Sequence, residues 1–434
     1  MRWQVVPLKT ISELGPQYGA NLRAIPPSGK GIRYVRITDI DDFGELRPDS
    51  FVEPDGNDLE NYLLSEGDLL LARSGATVGK SYRHIPENGQ CAFAGYLIRF
   101  RPNARIVNSC YLNYFLQSST YWIWVNSKKR VAAQPNISGA EYATIPVPLP
   151  PLSEQHRFVE ILDEADRLRR LRREADAKAV RILPALFLKM FGDPATNPKG
   201  WAEKPLREAI AIVDAGWSAT SEARLRQEHE FGVLKVSAVT SGRCLAEEHK
   251  AVIDLSETRT LVCPRRGDLL FSRANTRELV AASCIVDVDH PKLFLSDKLW
   301  RLTPRDRVAS TLFLKELFWN DGVREKFRVA SSGSSGSMLN ISQEAMLRTV
   351  VPMPPYELQI KFEAIAWRLI EITNQARNAA SKIDSIWETL MQRAFSGQLT
   401  AKWREAHSKE LLAEMEQQAR LLNLPLPKEL ELAP

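Results

Sequence analysis

Few residues in this chain have a spacing that could make or break bonds, and each candidate fails at a particular atom. Gly75-Ala76-Thr77-Val78-Gly79-Lys80-Ser81 follows an apolar run, as a phosphate-binding loop would. That loop needs GxxxxGK[ST], and Ser74 stands where the first glycine belongs. The corresponding stretch later in the chain, Ala274-Asn275-Thr276-Arg277-Glu278, has no lysine-serine pair. Met353-Pro354-Pro355-Tyr356 has the outline of the Asn/Asp-Pro-Pro-Tyr motif that holds a flipped base. Its first position must accept a hydrogen bond from the target amine, and a thioether is a weak acceptor. Its counterpart, Leu149-Pro150-Pro151-Leu152, is wholly apolar, so both read as prolines at a helix start. Glu248-His249-Lys250 has the E-x-K outline of some nucleases without a paired aspartate upstream, and reads as an exposed polar turn.

Non-covalent chemistry has a better footing. Lys128-Lys129-Arg130 leads into Gln134 and Asn136, setting phosphate anchors beside amides able to read base edges. Its counterpart, Ser331 to Ser337, is hydroxyl-rich and reads as a flexible loop. Arg73 and Lys80 flank a polar turn that can reach a phosphate. The arginines at 167, 169, 170, 172 and 173 read mainly as a solvated helix face, with phosphate or acidic-partner contact as the alternative. Five cysteines form no CxxC pair and six histidines are scattered, so reduced thiols and no zinc site are expected. A net charge of +5 permits a nucleic-acid partner without demanding one. No apolar run is long enough for a bilayer and Met1-Arg2-Trp3-Gln4 opens no signal peptide, so a cytoplasmic protein is expected.

The elements that must hold these residues come in duplicate. Phe362, Ile365, Leu369, Ile372, Ala376, Ala379, Ile383, Ile386 and Leu390 alternate three and four apart, which predicts the seam of a long helix packed on another helix. Residues 204 positions earlier, Phe158, Ile161, Ala165, Leu168, Arg172, Ala175, Ala179, Ile182 and Leu186, form a second seam with one charged interruption. The flanks repeat as well. Pro150-Pro151 with Gln155 answers Pro354-Pro355 with Gln359, Glu66-Gly67-Asp68-Leu69-Leu70 answers Arg266-Gly267-Asp268-Leu269-Leu270, and Asn136-Ile137-Ser138 answers Asn340-Ile341-Ser342. Framework positions repeat while loop positions do not, as expected for two modules that recognise different things on one scaffold.

Within the first module the alternation from Ile32 to Ile40 predicts a half-buried strand, Leu69 to Ala72 a buried strand, Cys91 to Phe100 another, and Ser109 to Trp124 a helix. The proline-rich run Ile145 to Pro151 suits an edge strand or a polyproline segment. Leu234 to Val239 answers Val35 to Ile40 in the second module. Ser153 is the expected N-cap of the first long helix, Pro184 should kink or shorten it, and Gly192-Asp193-Pro194 should end it. A last amphipathic helix is expected from about Arg404 to Asn423, with the two chain ends close together.

This ordered duplicate set resembles the specificity subunit of type I restriction-modification enzymes over about residues 1 to 406. The resemblance implies an α+β fold in which two mixed α/β target-recognition domains, 1–152 and 193–355, alternate with two long helices, 153–192 and 356–396. The helices would form an antiparallel coiled coil with pseudo-twofold symmetry, and 397–434 would be a linker and an amphipathic helix. It further implies a non-catalytic subunit with no cofactor of its own. Each domain would read one half of an asymmetric bipartite site on double-stranded DNA, while the coiled coil sets the spacing. Two methylation subunits carrying S-adenosylmethionine would dock there, and restriction subunits would supply translocation and cleavage, with no membrane partner. The expected DNA contacts are Arg33, Arg36, Thr38, Arg73, Ser74, Lys80, Lys128, Lys129, Arg130 and Gln134 in the first domain. In the second they are Lys235, Ser237, Arg273, Asn275, Arg277, Ser334 and Ser335. The competing readings are a self-contained DNA methyltransferase or nuclease with two recognition domains, and a scaffold of another defence complex.

Overall fold

The computed structural model describes residues 3–29, 31–56, 58–129, 135–255, 260–332 and 338–425. The chain divides into two compact units, one of residues 1–172 with 380–434 and the other of 173–379. Each is built around one module.

In the first unit Leu69–Ala72, every residue of it fully buried, is the inner strand of a four-stranded sheet. Antiparallel neighbours on its two sides are Leu97–Pro102 and Ser81–Arg83, with Ser12–Tyr18 completing the order beyond Leu97–Pro102. The second unit repeats this sheet with Leu269–Ser272 flanked by Leu299–Pro304 and Ser283–Ile285, and Ile210–Ala215 outermost. A smaller parallel pairing recurs too, Arg33–Val35 with Cys91–Phe93 and Gly232–Leu234 with Leu293–Leu295.

The repeated polar anchors are obligations of buried backbone. Gly67 and Gly267 turn at φ 81° and 92°, where a side chain is disfavoured. The next residue closes that turn: Asp68 accepts from the Ser65 N–H at 2.9 Å and Asp268 from the Arg265 N–H at 2.8 Å. Arg101 and Arg301 then pair with these aspartates. Gln155 accepts from the Asn108 N–H at 2.8 Å and donates to Pro150 O at 2.8 Å and Ile106 O at 3.2 Å. Gln359 does the same with the Ser310 N–H at 2.9 Å, Pro354 O at 2.8 Å and Val308 O at 3.0 Å. The Pro-Pro-x-x-x-Gln spacing is therefore a lock between each module and the helix that leaves it.

Several sequence expectations need correction. The strand expected from Ile32 to Ile40 is only Arg33–Val35, because buried Asp39 accepts from the Arg36 N–H at 2.9 Å and folds 36–39 into a turn. The stretch answering it, Leu234 to Val239, likewise ends as a strand at Leu234 and continues as a 3₁₀ turn, Val236–Val239. Cys91 to Phe100 is two strands split by a turn in which the Leu97 N–H donates to Ala94 O at 2.9 Å. Ser109 to Trp124 is two helices, Ser109–Phe115 and Ser119–Lys128, the second capped by the Ser118 hydroxyl.

The long helices are Leu152–Phe191 and Tyr356–Phe395, 40 residues each. Ser153 is not the N-cap of the first. It lies within the opening turn, and its N–H donates instead to Glu414 at 3.0 Å. Pro184 does not shorten that helix, which runs on to Phe191 and ends where Gly192 turns at φ 80°. In the first unit Phe158 and Leu162 share a core with Trp387, Met391 and Ala394 of the other long helix. In the second, Phe187 and Phe191 pack their rings on Phe362 at 5.8 and 5.3 Å. The helices pair antiparallel within each unit.

Their inward face is not the expected seam. Phe362, Ala366 and Trp387 are buried, whereas Ile365, Ile372 and Ile386 are 43%, 62% and 58% exposed. In the first long helix Leu162 is buried while Leu168 and Ile182 are 48% exposed. Every second seam position is thus shifted by one residue. A heptad is satisfied by either neighbour when both are apolar or small, as at Ile365-Ala366 and Ile386-Trp387, and the helix turns toward the one its partner fits.

The end of the chain is two helices, Ala401–Ala406 and Ser408–Leu421, broken at His407, whose ring stacks on Trp403 at 4.4 Å. They dock on the first module. Buried Glu154 accepts from Trp3 Nε1 at 2.9 Å, Thr400 Oγ1 at 2.5 Å and Arg404 Nε at 2.7 Å. Gln418 donates to the same carbonyls of Ile106 and Pro150 that Gln155 uses. The ends of the described chain meet, with Gln4 Nε2 donating to Pro425 O at 2.7 Å.

Candidate nucleic-acid interface

In each module a loop leaves the inner strand and is held between two walls. In the first, the loop runs from Arg73 to Lys80. On one side, Ser74 bridges to Asn136 and the Ile137 N–H donates to Arg73 O at 2.9 Å, with Ile137 fully buried behind it. On the other, Gly79 lies so close to helix Ser119–Lys128 that a Cβ there would stand 2.7 Å from Val125, at a φ of +92°. The Asn-Ile-Ser anchor is therefore the loop's outer wall, and Ser138 goes on to cap the short helix Gly139–Tyr142 through a capping box with Glu141.

The second module repeats the arrangement. Ala274–Asn275 pairs with Leu339–Asn340, and the Ile341 N–H donates to Arg273 O at 2.9 Å. Helix Asp321–Ala330 forms the other wall, with Arg328 Nε donating to Arg277 O at 3.0 Å and Arg324 Nη2 to Glu278 O at 2.5 Å. Ser342 caps the next helix through the Ala345 N–H.

The leading arginine of each loop lies over an aromatic ring, although the two rings come from non-equivalent strands. Arg73 lies 4.8 Å over the ring of Tyr18, its Nε 3.4 Å from Asn136 Oδ1. Arg273 lies 5.7 Å over Trp300. An aromatic face under a guanidinium fixes its plane and leaves its edge for a planar acceptor. Among the described residues the Arg273 Nε and the Asn275 amide nitrogen are buried donors without an acceptor. Lys128 and Lys129 follow the same pattern at the end of helix Ser119–Lys128, over Trp124 at 5.9 Å and Trp122 at 5.4 Å. Among the described residues no carboxylate pairs with any of these four cations.

The remaining expected contacts differ. Arg33 is buried and gives its guanidinium to Arg47 O at 2.5 Å and Ser50 Oγ at 3.0 Å, a scaffold role rather than a surface contact. Arg36 is committed to Asp39 in the turn, which raises its pKa, and Thr38 Oγ1 bonds the same carboxylate at 3.2 Å. Lys80 sits 2.7 Å from Asp42 and, by that hydrogen bond, holds the Asp42 carboxyl below its usual range. Lys235 at 2.8 Å and then Ser237 lower the pKa of Glu248. Arg277 faces Glu325 at 3.2 Å. Each of these three cations is already committed to a carboxylate. Arg130, Gln134, Ser334 and Ser335 lie outside the described residues.

The arginines of the first long helix are occupied. Arg167 pairs with Glu164, Arg169 with Asp384, and Arg170 with both Asp166 and Glu45. The residues that sequence reasoning missed are the platforms Tyr18 and Trp300, and the helix wall bearing Arg324 and Arg328. Spacings of four and seven residues ahead of Lys128 and Lys129 could have pointed to Trp124 and Trp122, whereas Tyr18 and Trp300 are distant in sequence from the arginines they carry.

Residues 2–178 match the type I restriction modification DNA specificity domain. The specificity subunit of the type I restriction enzyme EcoEI from Escherichia coli is 32% identical over 203 residues, an alignment covering 46% of this chain and 34% of that one. The EcoKI specificity subunit from Escherichia coli strain K12 is 25% identical over 457 aligned positions, covering 97% of this chain and 94% of the relative. The fold is shared with the type I restriction-modification S subunit from M. genitalium, at a TM-score of 0.54 and 14% identity over 91% of this chain and 96% of that one. The chain is thus similar to type I restriction-enzyme specificity subunits, through the DNA specificity domain over residues 2–178 and through the EcoKI relative over nearly its whole length.

Proposed function

We propose that the chain is the sequence-reading subunit of a type I restriction-modification complex and is itself non-catalytic. Each module reads one half of an asymmetric bipartite site on double-stranded DNA. The observation that carries this is the pair of walled loops: the same strand, the same Asn-Ile-Ser wall and an aromatic-backed arginine occur twice, with different side chains in between. A duplicated frame with unlike contents suits two unlike half-sites. Arg73 and Arg273 are placed to read a base edge, where a guanidinium fits guanine O6 and N7. Lys128 and Lys129 anchor phosphates, which position the module without reading sequence. Two methylation subunits, which would bring S-adenosylmethionine, and the restriction subunits complete the assembly. No described helix is long and apolar enough to cross a membrane.

The test is methylation mapping with the reconstituted complex. Arg73→Ala should relax one base position in one half-site, by about 1–3 kcal/mol of discrimination, and leave the other half unchanged. Arg273→Ala should do the converse. Methyl transfer by the rigorously purified chain alone would instead favour a self-contained methyltransferase.

A further inference from the structure

The internal repeat breaks at one place beside the long helices. In the first unit the junction of module and helix pair is sealed by a stack of the chain's own side chains. Arg169 lies 4.5 Å over the Trp387 ring and 5.9 Å from that of Phe43. Trp387 rests against Tyr114 at 5.7 Å, and the Tyr114 hydroxyl donates to Asp163 at 2.6 Å. In the second unit each member of the stack is replaced. Leu183 and Thr373 stand 204 positions from Trp387 and Arg169, the turn that supplied Phe43 reads Ser241-Gly242-Arg243, and Glu316 takes the place of Tyr114.

A cleft of about 600 Å³ opens there. Its floor includes Leu183, Phe187, Leu369 and Ile370, and on its lips Ile182 and Ile372 are 48% and 62% exposed. Arg243 and Arg377 lie along the rim, each 3.4 Å from Asn374 Oδ1, and the Asn374 amide donates to Asp287 at 3.1 Å. Glu316 lines the cleft as a buried carboxylate that holds Lys315 at 2.5 Å.

We propose that this cleft receives a tryptophan carried on a helix of one methylation subunit, with a neighbouring carboxylate of that subunit meeting Arg243 and Arg377. The chemistry follows from what fills the same place in the first unit, an indole backed by a guanidinium. An incoming indole buries about 150–250 Å² of surface. Its N–H meets the Glu316 carboxylate, an acceptor with several lone-pair sites. The inference rests on the reading of the chain as a specificity subunit, and it adds an inequality. The first unit's counterpart is already filled by Trp387, so two copies of one partner cannot be held alike, and the copy seated at the second unit binds more tightly.

The experiment titrates the purified full chain with its cognate methylation subunit, following stoichiometry by native mass spectrometry and affinity by calorimetry. The wild-type chain should take up two copies in steps of unlike affinity. Leu183→Trp, which rebuilds the plug, should weaken the tighter step at least tenfold and leave the other unchanged. The rim variant Arg243→Glu with Arg377→Glu should do the same at an unaltered melting temperature, which separates lost docking from lost folding. Variant titrations that superimpose on wild type overturn the cleft inference alone. Self-association of this chain that Leu183→Trp abolishes overturns it too, by making a second copy the occupant. A wild-type chain that binds no methylation subunit overturns the functional reading itself.

Discussion

Gln155 and Gln359, both fully buried, each satisfy three backbone groups of their own module. Their removal should not cost the same. Gln359→Ala orphans the Ser310 N–H and weakens the satisfaction of Pro354 O and Val308 O, at about 1–3 kcal/mol for each buried group left unmade. For Gln155→Ala the two carbonyls keep Gln418, so the penalty should be the smaller by about 1 kcal/mol or more. Denaturant unfolding of the two variants checks this, and equal penalties would remove Gln418 from the account. Lys129→Ala belongs to the same scale. It should weaken binding to all sequences and reduce the salt slope of log K by about one, since one phosphate contact releases about one counterion. Loss confined to one base position in a binding assay would make Lys129 a base reader. Residues of this kind were legible in sequence to different degrees. Asp68 and Gln155 could be found because the backbone they serve lies at a fixed offset from them, so the motif repeats. Tyr18 beneath Arg73 could not, because only the fold brings them together.

At the scale of elements, the long helices illustrate how far a period can be trusted. Their existence and extent follow from the 3-4 alternation, and their antiparallel pairing is implied by the resemblance, but the rotation of the inward face follows from neither. Ile372 and Thr373 compete for one seam position and the more polar residue faces inward, with Ile372 62% exposed. A similar limit applies to Ser153, a good capping residue that lost the helix start to a side chain more than two hundred residues away. If the helices set the distance between half-sites, lengthening both should lengthen the spacer. Seven residues inserted after Ala175 and after Ala379, both on the exposed face, preserve the heptad and add about 10 Å at ~1.5 Å per residue. That corresponds to about three base pairs, with a rotation of roughly 100° opposing it. Four residues at each point add ~6 Å and break the heptad, so the spacer should grow by only about one or two base pairs. Methylation mapping should return the same half-sequences with a wider gap. Activity confined to the original spacing would mean that the helices dock partners without acting as a ruler.

Over the whole molecule, each compact unit combines one module with the beginning of one long helix and the end of the other. That division cuts through the helices, because packing is continuous from each module onto the helix turns beside it. The chain's own termini close on the first module through Trp3, Glu154 and Arg404, so its frame does not depend on the other module's residues. Independence of the two reading heads is the central claim. It is tested most directly by replacing residues 1–150 with the equivalent module of a relative and mapping methylation in cells. One half of the methylated sequence should change while the other half and the gap stay as they were. A change in both halves, or in neither, would contradict the assignment of one half-site to each module.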